Sequence, residues 1–256
     1  MTHCKICLNE SEPFDKAILM NKYEVKYFRC PHCGFVQTED SYWLEEAYSD
    51  AIADSDIGLI SRNIYLASVV NTMLKILSPQ AQLLDYGGGY GMFVRMMRDK
   101  GWDFEWYDEY CENLFAKGYE MKCSHYDIVT TFEMLEHLPN PMEIFERLFA
   151  LSDTIICTTE LLPQPTPKAI DWWYYATETG QHISFYTRKS LQVVAAKFNK
   201  HLYAKHGIII FSKKDIPSKK INLTFNHPKL AHWILDLHDK ESLLGEDYYQ
   251  LTGKRL

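Results

Sequence analysis

Four cysteines near the start of the chain come as two pairs, Cys4-Lys5-Ile6-Cys7 and Cys30-Pro31-His32-Cys33, with 22 residues between Cys7 and Cys30. Zinc favours four soft ligands at the corners of a tetrahedron. One C-x-x-C turn puts two thiolates on one side of an ion, and a second such turn closes the other side. Gly34 follows the second pair directly and suits a turn whose amides approach the sulfurs. With all four positions filled by protein, no place is left for water, so the expected Zn2+ is structural, not catalytic. A segment this short buries little core, and the metal would supply its folding energy. A redox C-x-x-C or chance spacing is the alternative. His3 and His32 are possible substitute ligands but read better as surface or supporting groups. Cys111, Cys123 and Cys157 lack partners at ligand spacing and read as ordinary half-buried thiols.

The second chemical signal is Leu83-Leu84-Asp85-Tyr86-Gly87-Gly88-Gly89-Tyr90-Gly91. It sets an acid at the end of an apolar run, then glycines at 87, 89 and 91, then a helical pattern. Such glycines permit a tight turn and let a ligand touch the backbone. No Gly-Lys-Ser/Thr follows, so this is no phosphate-gripping P-loop, and the spacing is not the G-x-G-x-x-G of a dinucleotide site. Asp108 closes the next strand-like run, where a carboxylate accepts hydrogen bonds from ribose hydroxyls. Asp85 is placed to hold the amino-acid end of the same ligand, directly or through water.

Two histidines are candidate catalytic groups. His137 lies in Glu136-His137-Leu138. His182 lies in Gly180-Gln181-His182-Ile183-Ser184-Phe185-Tyr186-Thr187, after Trp172-Trp173-Tyr174-Tyr175. An imidazole with a pKa near 6.5 suits a general base, and the aromatic run could form the floor or lid of an acceptor pocket. A capping or core role is the competing reading for both, and for His137 it is the preferred one.

These residues need a scaffold. Helical spacing runs over 60–77 and 92–100, with a shorter stretch at 112–117 and further helices at 141–150 and 191–198. Strand-like runs cover 82–86, 103–108, 126–132 and 154–159. The runs 202–206 and 208–212 flank Gly207 as a hairpin. Strands alternating with helices predict an α/β fold: a Rossmann-like, doubly wound, mostly parallel sheet, with the C-terminal antiparallel hairpin at or near one edge and a small N-terminal zinc-ribbon-like module. The stretch between Gly118 and His125 is too short for a full unit and predicts a vestigial strand. The expected domains are 1–45, 46–214 and 215–256.

LLDYGGGYGMF, then WYDEY, then YDIVTTFEMLEHLPNP resembles the class I S-adenosylmethionine-dependent methyltransferases, over about residues 55–214. The resemblance implies that Asp85, Gly87, Gly89, Gly91 and Asp108 bind the cofactor. It also places Phe132 and Glu133, which open the Phe-Glu-x-x-Glu-His-Leu stretch, beside the methylthio group. The family's adenine motif is not recognisable near Lys122–His125. The paired cysteines and GQHISFYT make the chain similar to bacterial sugar methyltransferases that carry an N-terminal zinc module. In the C-methylating ones a Glu-His pair fills the stretch occupied here by Gln181-His182. Glutamine cannot act as a base, and the chain ends about 40 residues after its hairpin, whereas those enzymes carry a large C-terminal domain. Both differences favour O-methylation of a sugar or nucleotide-linked sugar over C-methylation.

The net charge of −7 argues against a broad nucleic-acid surface. Residues 197–256 nevertheless carry a net +5, including Lys213-Lys214 and Lys219-Lys220. This basic extension is either a solvated turn or a grip on phosphate. No run approaches the roughly 18 apolar residues of a membrane span, and Met1-Thr2-His3-Cys4 lacks a signal-peptide pattern, so a cytoplasmic, reducing environment is expected. The alternatives are an RNA methyltransferase, which would call for an Asn-Pro-Pro-Tyr-like tetrad where Thr131-Phe132-Glu133-Met134 stands, and a non-catalytic zinc-dependent interaction module, against which the intact glycine loop argues. The sequence leaves the oligomeric state open.

Overall fold

The computed structural model describes residues 2–48, 56–78, 80–226, 230–231, 233 and 238–255. Its strands are β1 (Thr2–His3), β2 (Glu10–Leu19), β3 (Tyr23–Arg29), β4 (Val36–Thr38), β5 (Leu83–Tyr86), β6 (Phe104–Tyr107), β7 (Ile128–Thr131), β8 (Thr154–Thr158), β9 (Ser184–Phe185), β10 (His201–Lys205) and β11 (Ile208–Ser212). Its helices are α1 (Leu44–Ala47), α2 (Leu59–Leu77), α3 (Met92–Arg98), α4 (Pro141–Leu151), α5 (Arg188–Lys197), α6 (Ser218–Asn226) and α7 (Leu244–Thr252). One sheet has the order β1-β2-β3-β4-β9, and a mixed sheet has the order β10-β11-β8-β7-β5-β6. The chain divides into two compact units: Met1–Ala53 with Phe132–Ala150 and Ile156–Lys213, and Asp54–Thr131 with Leu151–Ile155 and Lys214–Leu256.

In the first unit, β2 and β3 form a hairpin whose turn residues Met20 and Asn21 both have positive φ. Two positive φ values match a turn to the right-handed twist of the flanking strands. Alternation on these strands sends Ala17, Leu19, Val25 and Tyr27 inward, where they pack with Trp43, Tyr175 and Phe185. β4 pairs antiparallel with β9, Val36 opposite Phe185. The N-terminal strands thus share a sheet and a core with residues far along the chain. Thr187 caps α5: its hydroxyl accepts from Ser190 N at 3.0 Å, and Ser190 Oγ accepts from Thr187 N at 2.9 Å.

In the second unit, β5 lies between β6 and β7 in parallel register, with Leu83 opposite Phe104 and Ile128. All four β5 residues are buried, as a central parallel strand requires. α2 buries Leu66, Val69, Val70, Met73 and Leu74, the i, i+3, i+4, i+7 stripe of an amphipathic helix.

The other helices sit close to their expected places, but residues 112–117 are irregular. The Asn113 amide takes both backbone groups of Ala116, accepting from its N at 2.9 Å and donating to its O at 2.8 Å. Such local side-chain bonds compete with helix formation. The vestigial strand reduces to one parallel bridge, Trp106 to Glu120. The basic extension is partly helical and anchored: Arg98, nearly fully buried, donates to both carboxylate oxygens of Asp247 on α7 at 2.7 and 2.8 Å, and its guanidinium lies 3.5 Å over the Tyr119 ring. Among the described residues, no helix is long and apolar enough to cross a membrane.

Candidate functional site

The first unit gathers Cys4, Cys7, Cys30 and Cys33, whose sulfurs all lie within 4.8 Å of one another. Two of the gaps are 3.5 Å (Cys4 to Cys33) and 3.4 Å (Cys7 to Cys30). These are far longer than a disulfide and close to the edge of a thiolate tetrahedron around a zinc ion, roughly 3.8 Å for Zn–S distances of about 2.3 Å. Each pair forms the same turn. Leu8 N donates to Cys4 O and Gly34 N to Cys30 O, both at 2.9 Å. Leu8 and Gly34 both have positive φ. Amides point at the sulfurs, Ile6 N to Cys4 Sγ at 3.4 Å and Cys33 N to Cys30 Sγ at 3.5 Å. A side chain on Gly34 would meet Thr187 Cγ2 at 3.0 Å, a packing demand beyond the turn itself. Cys111, Cys123 and Cys157 stand outside this cluster.

The second unit holds the glycine loop. Gly87 N and Gly88 N both donate to Tyr107 O, at 2.8 and 3.0 Å, which folds the loop back over β6. Asp108 braces it: Oδ2 accepts from Gly89 N at 2.9 Å, and Oδ1 accepts from Tyr110 N and Cys111 N at 2.8 Å. Gly91 caps α3 at φ 83°. The glycines differ in purpose. A Cβ on Gly91 would sit 3.1 Å from Ala116 Cβ, and one on Gly88 would sit 2.8 Å from Trp106 Cδ1, so both are glycine for internal packing. A Cβ on Gly89 would meet nothing within 4 Å. That position faces space a ligand can fill. Gly88 is an addition to the residues read from sequence, and its need is invisible without the Trp106 ring.

Asp85 is 2% exposed and its Oδ1 accepts from Thr130 Oγ1 at 2.6 Å. Burial pushes its carboxyl up to about 7, Thr130 opposes this, and the charge of Asp108 adds to it. The folded state therefore holds a proton that the unfolded chain releases near pH 4. The contribution of Asp85 to the stability of the ligand-free protein falls as pH rises from about 4 to about 7. Asp85→Asn should match the wild type in thermal melts at pH 4 and exceed it at pH 8 by on the order of 4 kcal/mol. Equal melts at both pH values would show that the carboxyl is not perturbed.

Phe132, Glu133, His137 and His182 belong to the first unit. Glu133 adopts a φ of 50°, unusual for a non-glycine. Thr158 Oγ1 stabilises that turn, accepting from Glu133 N at 2.9 Å and donating to Glu133 Oε1 at 2.7 Å. The His137 and His182 rings meet edge to face at 4.8 Å. His182 Nδ1 lies 2.7 Å from Tyr174 O. A carbonyl only accepts, so Nδ1 carries the proton and Nε2 keeps a lone pair. His137 Nδ1 lies 2.7 Å from Tyr48 OH and 3.2 Å from Gln181 O. Burial and the neighbouring His182 push its pKa down to about 3, against the opposing pull of Gln181, so the ring is neutral. Beside them, Glu136 is 0% exposed. The aromatic run splits: Tyr174 and Tyr175 are core, while Trp173 is 74% exposed.

A family model described as a methyltransferase domain matches residues 61–202. The chain belongs to this family. It carries a methyltransferase domain, and the strand-loop-helix from β5 to α3 lies within the matched residues. Similar solved structures include the N1-methyltransferase of 1,6-didemethyltoxoflavin from Burkholderia thailandensis, at 13% identity and a TM-score of 0.49, covering 79% of this chain and all of that one. The plantazolicin methyltransferase BpumL matches at 13% identity and a TM-score of 0.46, over 78% of this chain and 90% of that one. The calicheamicin-biosynthesis methyltransferase CalO1 matches at 12% identity and 0.45, over 66% of this chain; the match spans only 61% of CalO1. No curated protein matches this chain.

Proposed function

We propose that the chain transfers the methyl group of S-adenosylmethionine to a hydroxyl of a sugar or nucleotide-linked sugar, with a structural Zn2+ in the four-cysteine cluster, in the reducing cytoplasm. The observation that carries the cofactor half is the open space at Gly89, held by Asp108 and flanked by the buried Asp85. In this reading Asp85 pairs with the cofactor's ammonium group, and the Gly87 and Gly89 backbone lies against the ligand. Asp108 offers its remaining lone pairs to the ribose, Gly91 shapes the turn, and Phe132 and Glu133 serve the methylthio end.

On the acceptor side His182 Nε2 is the available basic atom. The acceptor oxygen's lone pair forms the C–O bond as the C–S bond breaks and its electron pair stays on sulfur. The hydroxyl proton passes to Nε2. Since the sulfonium is already activated, the protein's contribution is alignment and proton removal. The sugar acceptor rests on the likeness to zinc-module sugar methyltransferases, and Gln181, which cannot take a proton from carbon, favours oxygen.

The experiment is calorimetric titration with S-adenosylmethionine followed by a screen of nucleotide sugars with labelled cofactor. Binding should tighten as pH rises through about 7, where Asp85 ionises. Gly89→Val should weaken it by at least about 100-fold, because its side chain fills the open space on a backbone of φ 54°. Unchanged affinity in that variant would remove the cofactor from this loop. Label appearing on carbon would replace O- with C-methylation.

A further inference from the structure

Glu136 is an anomaly as a bystander. Its side chain is fully buried and both carboxylate oxygens lack a hydrogen-bond partner. Burying a charge without compensation is costly, and buried carboxylates are normally paired or bound to metal. Two imidazoles face it, and the Cys157 thiol and the Tyr174 and Tyr186 hydroxyls lie near enough to feel its charge. One ligand atom each from Glu136, His137 and His182 lies within 4.8 Å of the other two. Metal–ligand distances of about 2.0–2.2 Å put the ligands of one ion roughly 3–4.4 Å apart, so a contraction of under an ångström or so seats an ion among them.

The backbone is arranged as metal-binding histidines require. Such rings hold their second nitrogen by a hydrogen bond to a carbonyl or similar group, which fixes the ring and leaves the other lone pair for the ion. His182 does this through Nδ1 and Tyr174 O, and His137 Nδ1 faces Gln181 O and Tyr48 OH. The turn bearing Glu136 is clamped as well. Ile183 N donates to Glu136 O at 2.9 Å, Tyr186 OH to Leu135 O at 2.9 Å, and Ser184 Oγ to Leu138 O at 2.7 Å.

We infer that Glu136, His137 and His182 form a second metal site, for a divalent transition ion such as Mn2+, whose remaining positions take oxygen atoms of the acceptor. Imidazole nitrogens select against Mg2+ and Ca2+, and the absence of thiolate selects against softer ions. Two histidines and one carboxylate leave positions open on an octahedral ion. The acceptor role rests on the sugar O-methylation reading and refines it. With an ion seated, His182 is a ligand, and the ion lowers the pKa of the bound hydroxyl, whose proton leaves to water.

The test is an electron paramagnetic resonance titration of the full chain with Mn2+ after mild chelation, with zinc content measured in parallel. The wild type should bind one Mn2+ per chain. Glu136→Gln and His182→Asn should each weaken that binding at least tenfold while zinc is unchanged. Mn2+ should raise the wild-type melting temperature but not that of Glu136→Gln, whose metal-free form should melt higher than the wild type because a buried carboxyl without a hydrogen-bond partner is gone. No Mn2+ binding by the wild type, or equal binding by both variants, overturns the site. Sugar turnover without Mn2+ binding would defeat this inference alone. Mn2+ binding with no sugar turned over would defeat the acceptor reading and leave the site standing.

Discussion

His182→Ala should lower turnover by about 10²–10⁴ and leave affinity for S-adenosylmethionine unchanged. The variant removes a ring nitrogen whose lone pair the surrounding backbone leaves available, since Nδ1 is committed to Tyr174 O at 2.7 Å. Whether Nε2 takes a proton or holds an ion, the acceptor oxygen loses its activation. The ring also packs against Tyr174 and His137, so some melting temperature is lost too. Single-turnover rate per folded molecule separates the two effects. His137→Ala should cost more stability, because its ring links Tyr48 and Gln181. Near-normal turnover in His182→Ala would return that residue to the core and leave the acceptor side without its base.

Cys30→Ser should abolish zinc binding and with it the folding of the whole first unit. Structural zinc contributes on the order of 10 kcal/mol in small modules, comparable to the full stability of a domain, about 5–15 kcal/mol. The loss would not stay local. Thr187, the N-cap of α5, donates its hydroxyl to Cys33 O at 2.6 Å, and β4 pairs with β9. Elemental analysis and hydrogen exchange on the variant check this. A zinc-free protein with normal protection across β2, β3 and β9 would show that the cluster is dispensable.

Local signals in the sequence were sufficient where one residue's type answers to its neighbours. The cysteine spacing, the glycine loop with Asp85 and Asp108, the cap at Thr187 and the hairpin around Gly207 all belong to this kind. Segments governed by remote partners were not legible. The irregular stretch at 112–117 turns on one amide choosing backbone bonds over a helix. The β4–β9 pairing joins residues about 150 positions apart and carries no local mark. His137 and His182 were each readable as candidates, but their meeting, and the buried carboxyl of Glu136 beside them, depends on Ile183 N reaching back to Glu136 O. Likewise the Lys-rich extension gave no hint that Asp247 receives a buried arginine from α3.

The β4–β9 ladder also sets a timetable for biosynthesis. At roughly 5–20 residues per second, a ribosome takes on the order of 10–30 s to travel from Thr38 to Ser184. For most of that interval the paired cysteines are outside the ribosome while the strand that completes their sheet does not yet exist. Four nascent thiols then await both an ion and a neighbour. Capturing zinc early would hold the two turns together until β9 arrives, whereas a cell short of zinc would leave an open sheet edge and reactive sulfurs exposed to chaperones and oxidants. Yield on expression should therefore follow zinc supply during synthesis more closely than zinc added to the finished chain.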